Sequence, residues 1–497
     1  MPETCPPPKV IVMEGHSEAE RALPRGGAAT RRGGLEFPRV DLRESSRRAW
    51  ITATHIYGFL SCEHAVWLEF YGNADEKLGA GPALTQLLRR GRELEDRLVA
   101  PLGWDEPTYA KGAFAEGAAA TRAMLASGVP GLRQAVLYEH PWLGIPDLLR
   151  RVPGSSAFGD FHYVVGDVKS SRKPRADQAL QVAFYSRLLA RLQDRRPDHG
   201  FLILRDGNEE RIDLDAIDIV LDEVLEELVE LLSRGPESER RSTPHHTTMC
   251  RDCGWRPSCS AKLDVHWVPG LTRSVREVLA ERGFDSLEAL SLVEPRKYAK
   301  AGVLPEASWQ RAKQGAHALR SGAPVFVRKP RGVEFQQACL PVVVLHDGFE
   351  ARVPLVAWLF DDSVRFAEAP TREDEPAMWH EAMAAWGKSH GALVHSGGVA
   401  ARLYEARSES SHPAEVIDAL ERRCTDLMSI VRGTWIFPEP VVLASEALAF
   451  LEGARPASEV DSVPLLLEVG DREGLRSFAR RELKALESLL RKIEEVA

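Results

Sequence analysis

The stretch GIPDLLRRVPGSSAFGDFHYVVGDVKS, residues 144–170, decides how the first half of this chain folds. It reads as two strand-like runs, Gly144 to Arg151 and Phe161 to Lys169, parted by Pro153, Gly154 and Ser155, the residue types of a hairpin turn. Such a hairpin sets Asp147 on one strand beside Asp167 and Lys169 on the next. Side chains alternate along a strand, so Asp167 and Lys169 share a face. Two acids and a lysine therefore converge.

Working outward, a shorter run, Ala135 to Tyr138, precedes the hairpin. Before it, Ile51 to Tyr71 reads as an amphipathic helix with Cys62 near its middle, and Ala83 to Val99 as a second helix carrying Gly91 and Glu95 one turn apart. After it, a helix over Ala176 to Leu192 puts Gln181 and Tyr185 on one face. Then come a strand, Gly200 to Leu204, its partner near Arg211, and an acidic amphipathic helix through Leu214, Ile217, Leu221, Val224, Leu228 and Leu231. This α-β-β-β-α-β order predicts an α/β core with helices flanking a mixed sheet.

The chemistry such a cluster suits is phosphodiester hydrolysis, which needs an activated water, charge relief on the phosphoryl oxygens and help for the departing oxygen. A divalent ion held by carboxylates supplies all three. Asp147 and Asp167 offer hard oxygen ligands for Mg²⁺ or Mn²⁺, with the Val168 carbonyl as a third. The Lys169 ammonium positions the attacking water and, were its pKa depressed, would help to deprotonate it. The plainer reading makes Asp147 and Asp167 strand-end acids and Tyr185 a core residue.

Composition bounds the remaining choices. At 497 residues the chain exceeds one ordinary core and predicts roughly two to four domains. Its 44% hydrophobic and 28% charged residues are those of a globular protein without a bilayer-spanning run. Residues 1–15 lack the basic and apolar regions of a secretory signal, which predicts a cytoplasmic protein. The net charge of -9 argues against nonspecific coating of nucleic acid, yet residues 21–48 hold Arg21, Arg25, Arg31, Arg32, Arg39, Arg43, Arg47 and Arg48. A solvated, flexible basic leader over 1–48 is the plainer reading of these, and a DNA-gripping arm the other.

Three cysteines, Cys250, Cys253 and Cys259, crowd one segment in a layout poor for disulfides, and Cys62 would supply a fourth thiolate. Zinc and an iron-sulfur cluster both suit four thiolates, and spacing does not separate them. Cys5, Cys339 and Cys424 have no matching partners in the sequence.

Taken in order, Gly91-x-x-x-Glu95, Gly144-x-x-Asp147, Asp167-x-Lys169 and Gln181-x-x-x-Tyr185 resemble the motifs of the RecB-like PD-(D/E)xK nucleases. The resemblance implies a restriction-endonuclease-like core over 49–265 in which Glu95, Asp147, Asp167 and the Val168 carbonyl hold the metal, while Gln181 and Tyr185 order the site and contact the DNA backbone. One cysteine before the core and three after it resemble the iron-sulfur staple of that family, as in the AddB subunit and CRISPR-associated RecB-type exonucleases. It implies a structural 4Fe-4S cluster on Cys62, Cys250, Cys253 and Cys259.

Beyond the cysteines, Val268-Pro-Gly-Leu271 and Ala280 to Leu287 resemble a helix-hairpin-helix turn within a small helical module, 266–324, with Arg273, Arg276 and Arg282 as phosphate contacts. Residues 325–497 are similar to the DnaQ-like, RNase H-fold domain that follows such a nuclease in one bacterial family. Thr425-Asp426-Leu427 matches an acidic motif there, and Phe478-x-x-x-Glu482 stands where the family has Tyr-x-x-x-Asp. The strand Pro341 to Leu345 lacks the paired Asp-x-Glu, and the region of His395-Ser-Gly-Gly lacks the tyrosine-rich motif. Without its first acids a two-metal exonuclease does not hold both ions, so this domain is expected to be degenerate and to scaffold or bind. The whole predicts a metal-dependent deoxyribonuclease acting on single-stranded DNA ends in repair, recombination or CRISPR-related defence, in company with a helicase or another nucleic-acid-processing protein. The other prospect is a vestigial DNA-binding or assembly subunit.

Overall fold

The structure is a computed structural model and describes residues 36–40, 42, 46–236, 242, 244, 248–251, 253–260, 265–269, 271–284, 286–300, 302, 304–330, 339–347, 352–389, 391–397, 414–456 and 463–497. The chain divides into two compact units, one built on Met1–Leu78 with Leu87–Pro244 and the other on Gly79–Gln86 with His245–Ala497. Both are mixed α/β. Most of the leader lies outside the described residues. What is described of it is held: Phe37 stacks on Trp142 at 4.8 Å between ring centroids, Arg47 donates to the Gly72 carbonyl at 2.6 Å, and Arg48 pairs with Glu69 at 2.8 Å. These two arginines are therefore spent on the fold.

The first unit runs through helices α1 (Ala53–Ser61), α2 (Glu63–Tyr71), α3 (Pro82–Val99, from Leu87 onward) and α4 (Phe114–Ala126), then strands β1 (Gly131–Arg133), β2 (Leu137–Glu139), β3 (Trp142–Gly144), β4 (Leu148–Ser156) and β5 (Gly159–Lys169). Helix α5 (Ala176–Gln193), strands β6 (His199–Leu204) and β7 (Glu209–Asp213) and helix α6 (Leu214–Ser233) complete it. One five-stranded sheet has the order β1-β4-β5-β6-β7, antiparallel except for the parallel pair β5 and β6. That parallel pair requires a crossover, and α5 is the crossover.

Two local expectations change. The predicted helix over Ile51 to Tyr71 is two helices, because Cys62 is extended at φ -162° and ψ 102°. Its N–H closes α1 on the Gly58 carbonyl at 2.7 Å, and its own carbonyl accepts the first bond of α2 from Val66 at 3.4 Å. Cys62 thus sits at a helix junction and not mid-helix. The hairpin turn also comes later than predicted: β4 continues through Pro153, Gly154 and Ser155 with an irregularity there, and the turn is Ala157 and Phe158. Strand β1 pairs with β4 only from Leu148 to Arg150, so Pro153 lies on an edge, where a missing N–H costs no ladder bond.

Helix α5 packs almost wholly buried on the sheet. Gly200 allows this, since a Cβ there would meet Val182 Cγ1 at 2.3 Å. A Cβ at Gly144 would likewise meet the Tyr185 ring at 2.7 Å. These two bare positions let α5 approach closely enough to bring Gln181 and Tyr185 to the strand ends.

In the second unit, short helices gather Val268, Leu279, Phe284, Leu290, Val293 and Trp309 into a small core. A second five-stranded sheet follows in the spatial order Ser363–Glu368, Arg352–Phe360, Leu340–Asp347, Leu393–His395, Cys424–Asp426. Its first three strands are antiparallel and its last two join in parallel. The helix Glu375–Gly387 covers one face through Trp379, Met383 and Trp386. The C-terminal helix Arg472–Val496 covers the other through Phe478, Leu483, Leu486 and Leu489. No helix among the described residues is long and apolar enough to cross a membrane.

Candidate active site

The site lies where β4 begins and β5 ends. Leu148 pairs with Gly166 across the antiparallel ladder, so Asp147 and Asp167 emerge side by side, as the strand reading expects. Asp147 Oδ2 accepts from the Val168 backbone N–H at 2.8 Å. This bond uses the Val168 N–H and leaves its carbonyl, the ligand that the sequence pointed to, out of account. Lys169 pairs with Asp167 Oδ2 and donates to Gln181 Oε1 at 2.8 Å, and Gln181 Nε2 donates in turn to the Tyr185 hydroxyl at 3.0 Å. On the other side, Gln134 Nε2 donates to Glu95 Oε1 and, at 3.3 Å, to Asp147 Oδ1. All six residues singled out by sequence, Glu95, Asp147, Asp167, Lys169, Gln181 and Tyr185, therefore belong to one polar chain drawn from α3, the two strands and α5.

Gln134 is the member that sequence reading missed. It follows β1 in no motif, with its backbone at φ +47°, and only the fold sets it against Glu95 and Asp147. Tyr185 is buried, and its hydroxyl accepts from Gln181 Nε2.

Electrostatically the site is crowded with negative charge. Burial, then the Asp167 and Glu95 carboxylates, push the Asp147 carboxyl well above its ordinary range. Burial also raises Glu95, with Gln134 opposing and Asp167 adding to the rise. Burial pulls Lys169 down, but Asp167 and Asp147 outweigh it and the ammonium is held above its usual value. As placed, the Lys169 side chain is therefore an ammonium. Burial raises the Tyr185 hydroxyl far above its usual value, with Asp167 adding to the rise, which keeps it protonated.

As placed, the acids face protein donors, and among the described residues no group of three or more His, Cys, Asp or Glu is arranged to hold a metal ion. In charge and donor type the set nonetheless fits a hard divalent cation. Asp167 is 1% exposed, and its Oδ2, the oxygen facing Lys169, has no hydrogen bond of good geometry among the described residues. Three clustered carboxylates against one ammonium leave negative charge that oxygen-seeking Mg²⁺ or Mn²⁺ would relieve.

The cysteines fall in both units. Cys62, at the junction of α1 and α2, belongs to the first. Cys250 lies on a 3₁₀ turn, Thr248–Arg251, and Cys259 in the helix Arg256–Ser260, with Cys253 between them, all in the second. Each is half-buried. Gly270, at the centre of the helix-hairpin-helix resemblance, lies outside the described residues, as does the Arg273 side chain. Arg276 is buried and donates to the Val268 carbonyl at 3.4 Å. Burial lowers its pKa, with the nearby Cys250 thiol opposing. In the C-terminal sheet, Asp426 caps the helix Leu427–Thr434 by accepting from the Ser429 N–H at 3.1 Å. Glu482 accepts from the Ala444 N–H at 2.9 Å and from the Ser445 hydroxyl. Both acids are committed to helix starts. No family model matches the chain, and no curated protein matches it. What the fold and site define is a class: a mixed α/β protein with a buried site of three carboxylates and one lysine at the end of a sheet.

Proposed function

We propose that the first unit is a Mg²⁺- or Mn²⁺-dependent deoxyribonuclease of the RecB-like PD-(D/E)xK type, acting on single-stranded DNA ends. One observation carries this reading: motif residues scattered from Glu95 to Tyr185 meet in one network of hydrogen bonds and an ion pair, with Asp147 and Asp167 side by side at two strand ends. An ordinary set of strand-end acids would be dispersed into solvent and would not gather around one half-buried lysine.

In this reading the bound cation supplies Lewis acidity and an activated water. Glu95, Asp147 and Asp167 would hold it, all three as carboxylates, so the protons that burial favours on Glu95 and Asp147 leave when it binds. Lys169 stays protonated, tethered by Gln181, and donates to the attacking water or to a phosphoryl oxygen. Tyr185 keeps Gln181 turned toward Lys169. Purified protein with Mn²⁺ should cleave end-labelled single-stranded DNA, and Asp167→Ala should abolish that cleavage while still binding the strand. Cleavage that persists in Asp167→Ala would refute the site.

The four cysteines, on the same reading, hold a structural 4Fe-4S cluster in a reducing cytoplasm. The buried Arg276 beside Cys250 suits an anionic cluster. The C-terminal sheet, with its antiparallel meander and two parallel strands, supports an RNase H-like scaffold. Its candidate acids Asp426 and Glu482 are occupied as caps, which supports a binding role and leaves room for a helicase or similar partner.

A further inference from the structure

Gln134 belongs to no motif, yet it ties together two of the three acids. It is anchored from both ends: its backbone N–H donates to the Asp147 carbonyl at 3.1 Å, and its Nε2 donates to Asp147 Oδ1 and Glu95 Oε1. Its φ of +47° lies in the left-handed region, where, among the described residues, the other three non-glycine residues are all aspartates. Aspartate tolerates that region through its short polar side chain, whereas glutamine does not share this ease. The chain thus accepts strain at the residue that is tied twice to Asp147.

The chemistry of the link is specific. A carboxamide offers two N–H donors and no charge, so it holds two carboxylates near each other without cancelling the negative potential that draws in a cation. Lysine or arginine in its place would neutralise the pair, and glutamate would add a fourth acid.

We propose that Gln134 is a positioning residue of the acidic site, holding Glu95 and Asp147 at a common spacing so that both reach a divalent cation together with Asp167. This rests on reading the site as a cation-dependent nuclease centre. Gln134→Met keeps the length of the side chain and removes both donors, and Gln134→Ala removes the side chain. Metal-free protein is titrated with MnCl₂ while the electron paramagnetic resonance signal of free Mn²⁺ reports binding, and melting in EDTA reports the fold. Both variants should melt close to wild type, with Mn²⁺ affinity weakened on the order of ten- to a hundred-fold, the usual range for loss of a residue that orients ligands. On DNA, kcat should fall while KM is unchanged. Wild-type Mn²⁺ affinity in folded Gln134→Met would overturn the proposal, as would loss of the fold in both variants, which would make the side chain a structural strut. If wild-type protein binds no more Mn²⁺ than Asp167→Asn does, the nuclease reading fails, and this inference with it.

Discussion

Replacing Lys169 with methionine tests the electrostatic core of the site. Lys169 is the cation that Asp167, 1% exposed, faces directly, and its own side chain is 20% exposed. Removing one partner of a buried ion pair costs about 3–5 kcal/mol, because the remaining charge stays desolvated and uncompensated. With Lys169 partly open to water, the low end applies, about 3 kcal/mol at neutral pH. At roughly 2–4 °C per kcal/mol for a unit of this size, Tm should drop by about 6–12 °C in EDTA. Neutralising the other side should undo the loss: Asp167→Asn combined with Lys169→Met buries no unpaired charge and should recover most of the stability, although it restores no cleavage. Urea unfolding followed by circular dichroism, run as a double-mutant cycle, measures the coupling. The reasoning fails if Lys169→Met is as stable as wild type at neutral pH, or if the double variant is no more stable than the single one.

Further outcomes follow from the same geometry. Asp147 and Glu95 bind protons more tightly folded than unfolded, so folding takes up protons, and metal-free stability should rise as pH falls from neutral toward the ordinary carboxylate range. Urea midpoints in EDTA at mildly acidic and neutral pH check this, and Asp147→Asn should flatten the difference; saturating Mn²⁺, which binds the ionised acids, should reverse its sign. Cys253→Ser should lower iron content and the visible absorbance of anaerobically purified protein, and a variant with full iron and colour would remove Cys253 from the ligand set. Glu482→Ala leaves the Ala444 N–H without its acceptor inside the C-terminal core, so it should cost about 1–3 kcal/mol in urea unfolding. DNA cleavage should be unaffected by it, since that glutamate caps a helix.

Much of this arrangement was legible without coordinates. The α/β class and the order of elements around the hairpin follow from hydrophobic period, and the convergence of Asp147, Asp167 and Lys169 from strand alternation, because both are local properties of the chain; Glu95, Gln181 and Tyr185 came from the resemblance to the family motifs. The helices over 176–193 and 214–233 lie within a few residues of where their patterns put them. Less visible were the strands Ser363–Glu368 and Cys424–Asp426. The first is a six-residue edge strand with a single buried residue, Ala367, and the second only three residues, so neither carries a long apolar pattern.

Tertiary structure decided what no local pattern encodes. Cys62 became a helix junction because its backbone satisfies two helices at once, and Pro153 stayed within a strand because its neighbour strand stops short of it. Arg276 turned inward to a carbonyl and Glu482 to a helix start, although both looked in sequence like chemistry at a surface. Gln134 joined the site only because a left-handed backbone folds it onto Asp147. Lys169 is held protonated by two acids that burial brings to it. Such outcomes depend on which distant groups share a dry, low-dielectric space, and that is settled when the chain packs, not when it is written.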